Sequence, residues 1–173
     1  RKVKEGLAAA GFSPEGLVEA GKRALEIGSP MGVTRKTLEA TIRVQEKETG
    51  IPVPLDVEGA DYLCLFSSGE IAGFPEFIGS LSKIFQATGV SWTISSEYFE
   101  ATNTGVQLGN SKLAATLVER VVSAAEKLKV KYVNSPECGH AYTTIRWDAP
   151  NIIGRPLPFK VVHIMELLDE LRR

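Results

Sequence analysis

The chain has 173 residues, 43% of them apolar and 24% charged, with a formal net charge of −1. That length suits one well-buried domain, and the near-zero charge supplies no field to recruit nucleic acid or an anionic membrane. No apolar run approaches the roughly 18 residues of a membrane span, no signal peptide is visible, and two cysteines are too few for a disulfide framework, so a reducing cytoplasm is the expected compartment.

The chain opens on Arg rather than Met and reads as part of a longer protein, helical almost from the start. Ser13 is placed to cap a helix with Pro14 at its first position and Gly28 as its stop. Leu17, Ala20, Ala24 and Ile27 give that helix an apolar stripe. Ser29-Pro30-Met31-Gly32 is a turn. Thr34 caps a second helix ending at Gly50, with Leu38, Ile42 and Gln45 on one side. Ile51-Pro52-Val53-Pro54 is an extended linker, because proline fits neither a helix interior nor the residue after a helical one. Residues 1–56 are therefore a helical segment and linker.

From Asp61 the pattern changes. Tyr62-Leu63-Cys64-Leu65-Phe66 is a continuous apolar run of the kind found in buried parallel strands. A loop from Ser67 to Phe74 leads to a helix opened by Pro75, with Ile78, Leu81 and Phe85, and stopped by Gly89. Val90 to Ile94 is a second strand and Ser95 to Gly109 a polar loop. Asn110 or Ser111 caps a long helix bearing Leu113, Leu117, Val121, Ala125 and Leu128 on one face. Val130 to Val133 is a third strand, followed by a helix from about Glu137 to Trp147 and an irregular loop from Asn151 to Pro158. Phe159 to Val162 is a fourth strand and Ile164 to Leu171 a last helix. Strands alternating with helices predict an α/β, Rossmann-like three-layer domain over 57–173, with a parallel sheet of about four strands.

Open parallel sheets bind ligands beyond the carboxyl ends of their strands. Cys64 lies near the end of the first strand, Cys138 and His140 follow the third, and His163 follows the fourth. All the thiol and imidazole donors thus fall near one edge of the sheet. Each has a plainer reading too. Cys64 sits in an apolar run and packs well as a small hydrophobe. Cys138 stands near a helix start, where the dipole favours a thiolate. His140 is either a ligand or the partner of a backbone group, His163 a helix cap, a packing residue or a ligand, and Glu137 a complement to the helix N-terminus. Ser67-Ser68-Gly69 has the composition of an anion cradle. Arg146 and Arg155 flank the same region, as anion contacts or as solvated surface. There is no Gly-x-Gly-x-x-Gly, no P-loop and no Cys-x-x-Cys, and the aromatics do not interleave with a basic stripe, which argues against nucleic-acid binding.

The segment Tyr132-Val133-Asn134-Ser135-Pro136-Glu137-Cys138-Gly139-His140-Ala141-Tyr142, followed by Pro158-Phe159-Lys160-Val161-Val162-His163-Ile164-Met165-Glu166-Leu167-Leu168, resembles the cysteine-rich CCG domain of heterodisulfide reductase subunits and related iron–sulfur oxidoreductases. The resemblance covers about residues 57–173. Ala24 to Gly32 is similar to the segment that those proteins carry between a ferredoxin-like module and the first CCG domain, which implies such a module upstream. The resemblance implies an electron-transfer domain in a larger redox complex, partnered by other redox subunits and cytoplasmic or membrane-associated through them. It makes Cys64 and Cys138 ligands or redox-active thiols, His140 a further donor to metal, and an iron–sulfur cluster the cofactor. The cysteine set is degenerate: Ser135 stands for the first cysteine of the family's Cys-x-x-Cys, and Phe99 to Gly105 takes the place of its Cys-Cys-Gly. Ligation would then need His140, Asn103, Glu137 or a cysteine from another domain. The alternative implied is a domain that keeps the fold as a cluster-free scaffold, docking other subunits through an apolar patch around Leu17, Leu38 and Ile42.

Overall fold

The structure is a computed structural model and describes residues 2–135 and 138–172. Helix α1 (Lys2–Ala9) buries none of its residues. Helix α2 (Glu15–Ile27) is stopped by Gly28 at φ 86°, the left-handed conformation that glycine adopts without a Cβ penalty. Its N-cap position is Pro14 itself, with no side-chain cap, so the Ser13 cap expected from the sequence does not form. Helix α3 (Arg35–Thr49) begins with a reciprocal capping box between Thr34 and Thr37.

The α/β part follows the expected alternation: β1 (Tyr62–Cys64), α4 (Ser68–Gly73), α5 (Glu76–Thr88), β2 (Trp92–Thr93), α6 (Thr104–Leu108), α7 (Ser111–Lys127), β3 (Tyr132–Ser135), α8 (Gly139–Thr143), a π-helical turn (Thr144–Asp148), α9 (Ala149–Ile153), β4 (Lys160–His163) and α10 (Ile164–Leu171). The strands form one all-parallel sheet in the order β2-β1-β3-β4. Three segments expected to be loops contain helix: α9 runs into 151–158, and the other two hold short helices of their own. Ser67 caps α4 through the Glu70 amide, and Asn103 caps α6 through the Val106 amide. Both helices are too short to show a 3.6-residue period, so only their caps mark them.

Residue alternation along the strands separates two cores. On one face Leu63, Leu65, Val133 and Val161 pack with Leu117 and Val121 of α7 and with Ala24 of α2. On the other, Cys64, Phe66, Trp92 and Ile94 pack with Ile78 and Phe85 of α5, with Leu167 of α10 and with Leu38 and Ile42 of α3. Helix α2 therefore belongs to one core and helix α3 to the other. Leu38 is fully buried and Ile42 is 5% exposed, so of the docking patch expected around Leu17, Leu38 and Ile42 two residues are interior and Leu17 is half-buried.

One glycine is required by contact. A Cβ on Gly105 of α6 would lie 2.5 Å from Ala114 Cα and 2.7 Å from the Leu113 carbonyl carbon, so α6 and α7 pack backbone to backbone there. The linker residues do more than span a gap. Ile94 N–H donates to Pro54 O at 2.9 Å and Asp56 N–H to Ile94 O at 2.8 Å, so 54–56 pair with the residue that follows β2.

Candidate functional site

In a sheet ordered β2-β1-β3-β4 the chain direction reverses about β1, and the crevice between the carboxyl ends of β1 and β3 is where such sheets take ligands. The pairing of β1 continues beyond Cys64. Leu65 N–H donates to Asn134 O at 3.0 Å, Phe66 N–H to Phe99 O at 2.8 Å, and Ala101 N–H to Phe66 O at 2.9 Å. The segment from Phe99 to Ala101, expected to be loop, thereby acts as an extension of β2 and carries Glu100 to the carboxyl edge.

Glu100 is 1% exposed. One carboxylate oxygen accepts from the Ser68 amide at 3.1 Å and from the Ser68 hydroxyl; the other accepts from the Thr102 amide at 2.9 Å. The Ser68 hydroxyl also lies 2.6 Å from that of Ser29, whose oxygen accepts from the Val33 amide at 2.9 Å. Since Val33 can only donate and a carboxylate can only accept, the protons order in one direction: Val33 to Ser29 to Ser68 to Glu100. Burial raises the Glu100 pKa above the ordinary carboxylate range, and the bonds from Ser68 and Thr102 oppose that rise. Within Ser67-Ser68-Gly69, the Ser68 amide and hydroxyl bind a carboxylate of the chain itself, Glu100. Glu100 and Ser29 were not singled out by the sequence as site residues; an acidic residue inside Tyr98-Phe99-Glu100-Ala101 is the one cue present.

Cys64 is fully buried, and burial pushes its thiol pKa up. It belongs to the core beneath α3, α5 and α10. Cys138 is half-buried and packs against the opposite core. It occupies the N-cap of α8, where Sγ accepts from the Ala141 amide at 3.4 Å. His140 is half-buried in α8; burial, and then the Lys4 ammonium, lower its pKa, and its Nε2 has no partner among the described residues. His163 caps α10: Nδ1 accepts from the Met165 amide at 3.2 Å, while Glu166 closes the capping box on the His163 amide at 2.8 Å. Its ring meets Tyr142 edge-on at 5.1 Å. The cap reading of His163 is therefore the one its geometry satisfies. Glu137 and Pro136 lie outside the described residues.

Asn103, Asn134 and Ser135, near the carboxyl edge of the sheet, are buried. Asn103 donates from Nδ2 to Ala114 O at 3.1 Å and caps α6 with its Oδ1. Ser135 is fully buried, and its hydroxyl, like Asn134 Oδ1, has no partner among the described residues. Arg146 is committed to Glu166 at 3.0 Å and to the Tyr142 hydroxyl, and Arg155 to Glu119 at 2.7 Å.

An iron–sulfur cluster is held by cysteine thiolates converging on one point. Cys64 and Cys138 project into opposite cores of one sheet, and among the described residues no three His, Cys, Asp or Glu side chains are placed to hold a metal. The described donors do not by themselves fit a cluster. Nor is any helix of the described residues long and apolar enough to cross a membrane. Compared with family models, with curated proteins and with solved structures, the chain matches none.

Proposed function

We propose that this chain is a degenerate CCG-type domain of a heterodisulfide-reductase-like redox assembly, serving there as a cluster-free scaffold that docks the electron-carrying subunits. The observation that supports it is the placement of the two thiols in separate cores on opposite sheet faces. The carboxyl edge, where the resemblance puts the Cys-Cys-Gly, is occupied by the Glu100–Ser68–Ser29 chain and the Asn103 bonds. Those contacts join the edge to the N-terminal helical segment and fix its shape, which is what a docking module needs.

A second reading keeps electron transfer in the domain, with Cys138 and His140 contributing to an iron–sulfur cluster completed by cysteines of a partner subunit. It is favoured by the partial exposure of Cys138 at the start of α8 and by the unpartnered His140 Nε2. Cys64 would remain a core residue in that case.

Anaerobic reconstitution with iron and sulfide, alone and with co-expressed redox subunits, separates the two. The scaffold reading expects no iron bound to this chain, and assembly that survives Cys138→Ser. Iron, acid-labile sulfide and broad visible absorbance that vanish with Cys138→Ser would overturn it in favour of the second.

A further inference from the structure

The sheet has two edges, and they are not alike. Just beyond the end of β2, Ile94 is paired on its outer side by Pro54 to Asp56. Among the described residues, no strand pairs with the outer side of β4. Lys160 N–H donates to Lys131 O and Val162 O accepts from Asn134 Nδ2, so residues 160 and 162 turn their backbone groups toward β3. Val161 and His163 turn theirs outward, because backbone direction alternates along a strand. The His163 amide is taken by Glu166. The Val161 carbonyl is met only by Arg146 Nη1 at 3.4 Å, and its N–H has no partner among the described residues.

A groove of about 620 Å³ runs along this edge. It is lined by Tyr62 and Tyr132, stacked at 4.8 Å, and by Leu157 and Phe159. Arg146 and Glu166 neutralise one another across it. That leaves one cation, Lys160, and one anion, Glu170, both exposed and both without an ion pair among the described residues. A patch with one free charge of each sign is complementary to itself under a two-fold rotation, as an isologous interface requires.

We propose that this edge receives a second copy of the chain, the two β4 strands pairing antiparallel about a two-fold axis at Val161. The Val161 N–H and C=O of each copy then exchange two hydrogen bonds, and Arg146 gives up its long contact to the carbonyl while keeping Glu166. Lys160 of each copy faces the acidic α10 of the other. A two-fold contact at β4 uses that edge in both copies, so association through it stops at two and the sheet becomes eight strands. The pairing needs none of Cys64, Cys138 and His140, so it holds whichever way their chemistry falls.

Sedimentation equilibrium of the 173-residue chain over a concentration series tests this. A monomer–dimer equilibrium is expected. Lys160→Glu should weaken it by about tenfold or more through like-charge contact, and Lys160→Glu with Glu170→Lys should restore it. Val161→Pro, which removes an outward N–H without breaking the ladder to β3, should give a folded monomer by circular dichroism. A chain that stays monomeric at every concentration overturns the proposal and leaves the edge to an extended segment of another protein. A dimer indifferent to Lys160→Glu and Val161→Pro overturns it as well, by placing the interface elsewhere.

Discussion

Ser68 and Glu100 lie 32 residues apart in sequence and share one buried hydrogen-bonded unit at the carboxyl edge of the sheet. Ser68 supplies both its amide and its hydroxyl to the same carboxylate oxygen, and the Ser29 hydroxyl backs the second of these at 2.6 Å. Ser68→Ala removes the hydroxyl and leaves Ser29 and Glu100 each short of a partner in a site that excludes water. The cost expected is about 1–3 kcal/mol. Urea denaturation should show a lower midpoint with an unchanged slope; a midpoint equal to that of the parent would mean that water replaces the hydroxyl at no cost.

The burial of Glu100 also makes stability depend on pH. Its pKa is raised in the folded chain, chiefly by desolvation. The folded state therefore holds this proton more tightly than the unfolded state does. The stability linked to it is fully present below the ordinary carboxylate pKa and is lost as pH rises through the raised folded value. Glu100→Gln keeps the shape and one acceptor oxygen but cannot ionise. Thermal melts of parent and variant across the mildly acidic range should converge toward the low end and separate as pH rises, the variant holding its stability while the parent declines. Parallel curves would place the charge in a better-solvated site than its 1% exposure implies.

Much of this architecture is legible along the chain. The four strands are short apolar runs between turn residues, and Gly28, Gly50 and Gly89 each sit in the left-handed conformation that ends a helix. Thr34 and Asn110 cap as their residue types suggest, since capping is settled within four residues. What escapes is set at long range. α4 and α6 have six and five residues, too few for a period to emerge from a polar stretch. Glu100 reads as loop because what fixes it comes from afar, Ser68 on its carboxylate and Phe66 on the flanking backbone. The four donors do gather near the carboxyl edge, yet strand parity sends Cys64 to one face while α8 holds Cys138 on the other. The residues reveal that only once the covering helices are assigned to faces.

The contact between α6 and α7 tolerates nothing larger than hydrogen at Gly105. A Cβ there meets backbone of Leu113 and Ala114, which cannot rotate away as a flexible side chain would. Gly105→Ala should destabilise by about 1–3 kcal/mol, the usual range for overpacking, despite alanine's better helix propensity. Gly16, in the first turn of α2 with open space around its Cβ position, is the control, and Gly16→Ala should be neutral or mildly stabilising. Equal effects at the two positions in chemical denaturation would show that α6 shifts to make room.

The two thiols differ enough in setting to be told apart chemically. Cys64 has no exposed surface, and burial holds its pKa above the ordinary thiol range, so it presents neither access nor thiolate to a reagent. Cys138 is half-buried and stands at the start of α8 with Sγ accepting from the Ala141 amide, so a reagent can reach it. In native protein an aromatic disulfide reagent should titrate one thiol per chain quickly, and Cys138→Ser should remove that phase. The second thiol should appear only under denaturing conditions, at a rate that follows global unfolding rather than reagent concentration. Two fast thiols in the native protein would mean that the core over Cys64 opens locally, and with it the separation of faces on which the scaffold reading depends.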